Sequence, residues 1–258
     1  GLSKRVDRGD VYELWSKIVP LYEELLKAIR TLDDEVIVQI DEPIFAKELD
    51  TKVLSLIKPT YDRLGRVSPN IKIAVVTYFE HSNEATKILV HTPIWALGLD
   101  FLHGDENLKS LELIASSGKK LIAGVVDGRN IWRCDIVKTL TLLEDIAKVV
   151  EKENILLGSS CSLLHTPFTL KYEEKMSSEI KEWLSFALEK LNEISLLSKL
   201  FFDAESSLDE AQKEALQNNA NANQSRKNSP LIHDKTVQER VKKHTKLQRE
   251  GDAKERLK

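Results

Sequence analysis

The sequence predicts an α/β protein built on a parallel sheet, and three observations support this. Five segments of strand formers alternate with segments of helical periodicity, the pattern of β-then-α units joined by right-handed crossovers. The run Leu121–Val126 is apolar throughout, as in a strand covered by helices on both faces. Polar residues collect directly after it, from Asp127 onwards, where parallel strands gather ligand-handling groups. Because five strands cannot close an eight-stranded barrel, the sheet is either open or the later part of a barrel whose first strands lie elsewhere.

The composition excludes several classes of protein. The chain has 258 residues, of which 41% are hydrophobic and 31% charged, as in a soluble globular protein with a large core. A net charge of -3 argues against partners such as nucleic acid or a membrane surface. No apolar run approaches the roughly 20 residues that span a bilayer, and the N-terminus does not resemble a signal peptide. Two cysteines make no disulfide framework, so we expect a cytoplasmic protein.

The first predicted elements are a helix over Asp10–Arg30 and a strand over Val36–Ile40. Asp10 suits an N-cap, and Pro20 predicts a kink or a break in the helix. Pro43 cannot donate to a sheet ladder, so the strand should stop before it. The apolar positions of the helix are Val11, Leu14, Trp15, Ile18, Leu21, Tyr22, Leu25, Leu26 and Ile29.

The same alternation continues through the middle of the chain. Further helices are predicted over Asp50–Leu64, Glu84–Leu89, Leu108–Ser116 and Ile136–Lys152. Further strands are predicted over Lys72–Phe79, Ala96–Leu102, Lys120–Val126 and Ile155–Leu164.

The character of the sequence changes after the fifth strand. Ser177–Phe202 predicts one long amphipathic helix, and Asp203–Ser229 is polar, rich in Asn and Ala, with little to bury. Lys235–Lys258 is dense in Lys and Arg, which favours a solvated helix or a linker over a nucleic-acid arm. The apolar positions of the long helix are Ile180, Trp183, Leu184, Ala187, Leu191, Ile194 and Leu197. Because the pattern ends without closing, we expect the chain to be part of a longer one.

The predicted strand ends carry the candidate functional groups. These are Gln39, Asp41, Glu42, Tyr78, Asp100, His103, Asp127, Arg129, Asn130, Arg133, Ser160, Cys161, Ser162 and His165. Asp41 and Glu42 are not expected to share acid–base work, because neighbours on a strand point to opposite faces. Cys161 with His103 or His165 could form a zinc or thiolate site, but no CxxC or HxxxH spacing supports it, which favours a buried structural cysteine.

Two simpler observations limit the functional interpretation. Asp127-Gly128 could form only a turn, with Trp132 and Arg133 bracing the helix that follows. No phosphate loop and no GxGxxG follows any predicted strand, which argues against a nucleotide site. The residues alone therefore indicate a polar strand-end face and name no reaction.

Three motifs, in this order and spacing, resemble the N-terminal domain of cobalamin-independent methionine synthase. They are VQIDEP at Val38–Pro43, GVVDGRNIWR at Gly124–Arg133 and SCSLLHTP at Ser160–Pro167. Two later stretches, KEWLSFALEKLNEISLLSK and SRKNSPLIHD, resemble the next helix of that family and the segment leading to its interdomain linker, so nearly the whole chain is covered. The resemblance implies a (β/α)8 barrel of the TIM type, of which this chain supplies about the last five strands, then a long helix and a polar tail. It implies a partial barrel domain at residues 1–202 and a helical extension towards an interdomain linker at 203–258.

The resemblance also implies a function. Members of the family are zinc-dependent methyltransferases that move a methyl group from 5-methyltetrahydrofolate polyglutamate to homocysteine, giving methionine. Their zinc is held by a C-terminal barrel, and neither its ligand positions nor the family's basic folate-binding motif lies in this chain. The implied role is therefore structural, with no catalytic residue and no metal ligand here, and with the C-terminal catalytic barrel of the same polypeptide as partner. The residues implied to face the substrate cleft are Asp41, Glu42, Asp127, Asn130, Arg133, Cys161 and His165.

A second class of function stays open. The chain could be a stand-alone α/β module that binds a small anionic ligand through Arg129 and Arg133. Stoichiometric zinc, or tight folate binding by this chain alone, would favour that alternative. In either case a sheet cut from a barrel exposes two edges and an inner face, so we expect the isolated chain to self-associate.

Overall fold

The sheet consists of five parallel strands in the order β1-β2-β3-β4-β5, each beside its neighbour in sequence. The computed structural model describes the backbone of residues 11–249 and the side chains of residues 13–243. The strands are β1 Val36–Asp41, β2 Ile71–Val76, β3 Ala96–Asp100, β4 Lys120–Val126 and β5 Ile155–Ser159. Parallel pairing of consecutive strands makes a half-barrel, as the sequence predicts, and within the described residues β1 and β5 each have one unpaired edge.

Nine helices accompany the sheet within residues 11–249. They are α1 Val11–Ile29, α2 Thr51–Leu64, α3 Asn83–Leu89, α4 Leu111–Ser117, α5 Ile136–Ala147, α6 Ser178–Trp183, α7 Ala187–Asp203, α8 Glu210–Asn228 and α9 Lys235–Arg249. None of these helices combines the length and apolarity that a membrane crossing requires. The alternation of β1 to β5 with α2 to α5 confirms the predicted β-then-α units.

The core lies between the sheet and the helices, because the apolar face of each strand packs against the helices that cover the outside of the half-barrel. Leu97, Leu121 and Leu143 of β3, β4 and α5 are completely buried there. The opposite face of the sheet is less covered at its margins, where Ile37 on β1 is 55% exposed and Leu156 on β5 is 38% exposed. The half-barrel therefore presents apolar side chains at both of its edges.

Helix α1 runs without interruption through Pro20, so the predicted break is wrong. Before the proline, the indole Nε1 of Trp15 donates to the Thr60 hydroxyl of α2 at 2.7 Å. After it, Arg63 of α2 donates two hydrogen bonds to Glu23, at 2.8 and 2.7 Å. Contacts on both sides of Pro20 offset the single backbone hydrogen bond that a proline removes.

The apolar surface of α1 is wider than the face that it buries. Val19 and Leu26 are buried, whereas five apolar side chains are between 43% and 67% exposed: Leu14, Ile18, Leu21, Tyr22 and Leu25. These five cannot be assigned to the core that the helical periodicity predicted. The predicted N-cap, Asp10, lies outside the described residues.

Strands β2, β3 and β5 end earlier than predicted, because their carboxyl ends turn into loops. The N–H groups of Thr77, Phe101 and Ser160 still donate to the neighbouring strand, at 2.9, 3.1 and 2.7 Å, and side chains hold the backbone beyond β3 and β5. Asp100 accepts from the backbone N–H groups of Leu102 and His103, and the Ser162 hydroxyl accepts from that of Leu164. Helix α5 likewise ends at Ala147 rather than at residue 152.

The single long helix predicted over residues 177–202 is two helices, α6 and α7, separated by an extended segment. Leu184 forms an isolated antiparallel bridge with Trp132, and the N–H of Ser185 donates to the carbonyl of Ile131 at 2.8 Å. Leu184 and Phe186 are both buried in this extended conformation, at 2% and 4% exposure. The break follows from pairing with the loop after β4.

The polar segment before the basic tail is more ordered than its composition suggests. Helix α8 begins at a side-chain cap from Asp209 and buries Asn219, Ala222 and Asn223 against the domain. In contrast, every described side chain of α9 up to residue 243 is exposed. The expectation of little to bury is therefore wrong for α8, whereas α9 is a solvated helix as expected.

Candidate functional site

The loops after β3 and β4 bring polar side chains together at the carboxyl edge of the sheet. Nε2 of His103 lies 3.1 Å from Oδ2 of Asp127, and the amide of Asn130 donates to the same oxygen. Oδ1 of Asp127 accepts from the backbone N–H of Arg129 at 2.8 Å. The carbonyl oxygen of the Asn130 side chain accepts in turn from the backbone N–H of Trp132 at 3.0 Å. Asp127 is therefore the centre of a small network that fixes the loop after β4.

Asp100, at the end of β3, is completely buried beneath this network. Its Oδ1 accepts from the backbone N–H groups of Leu102 at 2.8 Å and His103 at 3.0 Å. Its Oδ2 has no hydrogen-bond partner among the described residues. Burial therefore raises the pKa of Asp100, because the charged carboxylate is poorly compensated there.

The raised pKa of Asp100 predicts a pH dependence of stability. The native state holds a proton to higher pH than the unfolded chain, whose aspartate pKa is about 3.9, so the free energy of unfolding falls as pH rises through that window. In Asp100→Asn this contribution is absent. We expect the variant to gain stability relative to the natural chain as pH rises from about 3 to 7. Urea unfolding of both proteins across this range measures the difference, and a constant difference would contradict the prediction.

Cys161 lies directly after β5 and is 1% exposed. Gly128 passes so close that a Cβ there would lie 2.6 Å from the Cys161 carbonyl oxygen and 3.0 Å from its Sγ. Burial raises the pKa of the Cys161 thiol to about 11, so it is protonated and unreactive at neutral pH. The prediction that Cys161 is buried is confirmed, whereas its structural role stays a prediction.

Aromatic side chains after β2 complete the edge of the site. The ring of Phe79 lies 5.1 Å from the Arg129 guanidinium and 5.3 Å from the His165 ring. The peptide bond between Tyr78 and Phe79 is cis. The buried Tyr78 hydroxyl has no hydrogen-bond partner in the part of the chain that is described, and burial raises its pKa. His165 thus joins the site through Phe79, whereas Arg129 is stacked on an aromatic ring.

Asp41 is the last residue of β1, and Glu42 follows it directly. Asp41 accepts from the Gln39 amide at 2.7 Å, and its charge contributes to the raised pKa of Tyr78. The charge of Glu42 instead contributes to the raised pKa of Tyr61 on α2. Burial raises the pKa of Glu42 itself. The charge of Asp41 therefore acts on Tyr78, and that of Glu42 acts on Tyr61.

Arg133 does not join the network around Asp127. Its backbone N–H donates to the Trp183 carbonyl at 2.9 Å, and its side chain lines a separate groove beside α6. Of the predicted cleft residues, the loops bring Asp127 and Asn130 into direct contact and leave Arg133 apart.

The sequence did not indicate two buried charges on α7 that hold the same loop. Lys190 is completely buried, and its Nζ donates to the Trp132 carbonyl at 3.0 Å. Oε1 of Glu193 accepts from the Cys134 N–H at 3.1 Å, and its Oε2 has no partner among the described residues. Burial lowers the pKa of Lys190 and raises that of Glu193. Their spacing of three, in register with buried Phe186 and Leu197, is the signal that they lie on the apolar face.

Helix α8 holds this loop from its other end. Nδ2 of Asn219 donates to the Cys134 carbonyl at 2.8 Å, and Nδ2 of Asn223 reaches the same oxygen at 3.1 Å. Oδ1 of Asn219 accepts from the Ile136 N–H at 3.3 Å. The loop between Asp127 and α5 is therefore held by side chains of α7 and α8 as well as by the hydrogen bonds around Asp127.

In comparisons with known proteins, the chain matches one family model and enzymes that share one name. The family model described as "Cobalamin-independent synthase, N-terminal domain" matches residues 1–151. A 5-methyltetrahydropteroyltriglutamate--homocysteine methyltransferase of Desulforamulus reducens is 48% identical over 256 residues, covering 99% of this chain and 33% of the relative. An enzyme of the same name from Parvibaculum lavamentivorans is 34% identical over 234 residues, covering 90% of this chain and 30% of the relative. The chain thus spans about a third of the length of the curated relatives it matches.

Among solved structures, a B12-independent methionine synthase from a Shewanella species, in complex with selenomethionine, has the same fold. The two chains superpose with a TM-score of 0.57 at 18% sequence identity. The superposition covers 79% of this chain and 59% of the other. This likeness supports the barrel-type arrangement of the five strands.

Proposed function

Because the chain belongs to the cobalamin-independent methionine synthase family, through that family's N-terminal domain, we propose that it is a segment of a methyltransferase. The reaction that we propose for the whole enzyme moves a methyl group from 5-methyltetrahydrofolate polyglutamate to homocysteine, giving methionine. The observation that carries the proposal is the match, over nearly all of this chain, to proteins named for that transfer. The two free thiols, Cys134 and Cys161, are consistent with the cytoplasmic location that we propose for it.

The role that we propose for this segment is to shape one wall of the substrate cleft. In support, Asp127 and Asn130 are fixed by hydrogen bonds at the carboxyl edge of the half-barrel, and His165 packs on Phe79 beside them. Cys161 supports the wall from below as a protonated thiol. The partner that we propose is the remainder of a longer polypeptide, including a C-terminal catalytic barrel, because the relatives are about three times as long as this chain.

The described residues do not fit the zinc that the family implies. Within that part of the chain, no group of three or more His, Cys, Asp or Glu side chains could hold a metal ion. Cys161 is buried and protonated, and Asp127 is engaged by His103 and Asn130. The proposal therefore assigns zinc to none of these residues and places the activation of homocysteine outside them.

An assay of two proteins tests the proposal. The full-length polypeptide that contains this sequence is given homocysteine and 5-methyltetrahydropteroyltriglutamate without cobalamin, and the 258-residue chain is assayed beside it. We expect methionine from the full-length protein and none above background from the chain alone. No methionine from the folded full-length protein would overturn the proposed reaction. Methionine from the chain alone would overturn the wall-forming role.

A further inference from the structure

A groove of about 390 Å³ lies between the loop after β4, the loop after β5 and helix α6. It is separate from the network around Asp127. Its lining residues are Arg133, Leu170, Lys171, Ser178, Lys181 and Glu182. Three cations and one carboxylate give the groove a formal charge of +2 at neutral pH.

The three cations of the groove are only partly compensated within the described residues: Glu182 lies in the groove, and the Arg133 charge also acts on the buried Glu193 carboxylate. Arg133, Lys171 and Lys181 have no ion pair there, although Nζ of Lys171 lies 5.6 Å from the ring centre of Tyr172. Other lysines of the same domain are paired, as Lys148 is with Asp145 at 2.6 Å. Like charges held around one depression repel each other, and that repulsion is relieved when an anion enters.

The walls of the groove are fixed before any ligand arrives. The backbone of Arg133 is hydrogen-bonded to Trp183, which is 2% exposed. Leu170, at the base, is buried, and its N–H donates to the Glu189 carboxylate at 3.2 Å. Arg133 and Lys181 are themselves half-buried, so their charges are less screened by water than those of fully exposed residues. The backbone that carries Arg133 and lines the base of the groove therefore does not need to rearrange when a ligand binds.

We propose that this groove binds an anion with two or more negative charges. A guanidinium presents paired N–H donors to a carboxylate or phosphate, and two ammonium groups add charge from the sides. The net charge of +2 attracts a multiply charged anion more strongly than a singly charged one, because the attraction grows with the charge of the ligand. Arg129 takes no part, since it is stacked on Phe79.

Two sources share this chemistry. One is the substrate tail: a γ-linked triglutamate carries four carboxylates, and this source rests on the proposed function. The other is free inorganic phosphate, which requires no particular reaction. The groove would recognise both anions through the same cations, and separate titrations with triglutamate and with phosphate show which of the two it binds.

Isothermal titration of the full-length protein tests the groove, with inorganic phosphate and with γ-linked triglutamate as separate probes. The double variant Arg133→Gln/Lys181→Gln removes two of the three cations, and we expect it to weaken binding by about tenfold or more. Lys148→Gln is the matched control: it removes an exposed lysine elsewhere on the surface, and binding should change by less than about twofold. Lys171→Gln, at an exposed position, gives a second variant of the groove that does not disturb its buried base.

The outcomes separate the two sources and the two proposals. Tighter binding of triglutamate than of phosphate, lost in the double variant, identifies the tail as ligand. Binding of phosphate alone, lost in the same variant, identifies a free-anion site. Absence of binding by either probe, or binding that survives both groove variants, overturns the inference. Failure of methyl transfer alone would overturn the proposed function and leave an anion-binding groove standing.

Discussion

Replacing Lys190 with alanine is expected to lower the free energy of unfolding by about 3–5 kcal/mol. The ammonium group is completely buried, and its removal takes away the larger of the two positive charges that act on the buried Glu193 carboxylate, leaving only the smaller effect of Arg133. It also leaves the Trp132 carbonyl without its donor. Guanidinium unfolding followed by tryptophan fluorescence measures the loss, and Trp132 and Trp183 lie close enough to report on the region.

Two further variants distinguish the buried charge from the loss of a side chain. Lys213→Ala removes an exposed lysine paired with Glu210, and stability should change by less than about 0.5 kcal/mol. The double variant Lys190→Met/Glu193→Leu removes both charges and keeps the volume, so most of the stability should return. A double variant as unstable as Lys190→Ala would show that the unpaired carboxylate is not the cause.

Replacing Gly124 with alanine is expected to lower the free energy of unfolding by about 1–3 kcal/mol, because the new methyl group has no space. A Cβ at Gly124 would lie 2.7 Å from the carbonyl oxygen of Leu99 on β3 and 3.0 Å from that of Ser159 on β5. Both are backbone atoms of strands that flank β4, so neither moves without disturbing the sheet. Thermal unfolding of the variant beside the natural chain gives the measurement.

Gly158→Ala is the matched control on the neighbouring strand. A Cβ at Gly158 would first meet Cγ2 of Ile122, at 3.2 Å, and a side-chain methyl shifts more easily than backbone. Gly158→Ala should therefore lower the free energy of unfolding by well under half as much as Gly124→Ala. Equal losses at the two glycines would mean that conformational freedom, rather than crowding, determines the effect.

The strands were predictable because their signal is local. Lys120–Val126 is apolar throughout its last six residues, ends at an Asp-Gly turn, and forms β4 within those bounds. The break between α6 and α7 was not predictable, because Leu184 keeps the helical spacing of its neighbours while it pairs with Trp132. That pairing joins segments about fifty residues apart, and no window of sequence contains both.

The same distinction applies to the candidate site. Asp127 and Asn130 follow a buried strand directly, and that position predicted a polar cluster at the sheet edge. Lys190 and Glu193 were missed because charges on an amphipathic helix usually face water, even though their register placed them on the apolar face, and the contact with the Trp132–Cys134 segment explains how their polar atoms are satisfied there. Arg133 was assigned to the cleft from the family resemblance, and that assignment stays a prediction; in the structure it lines the groove beside α6.

The hydrogen bond from Asn219 to the Cys134 carbonyl joins residues 85 positions apart in the chain. A ribosome adds about 5–20 residues per second, so about 4–17 s pass between the synthesis of Cys134 and that of Asn219. During this interval β1 to β5 can pair, but the path from Asp127 to α5 lacks the anchor that α8 provides. A nascent chain halted before α8 should therefore be cut by protease in this loop, and the same chain extended beyond Asn228 should resist cleavage there.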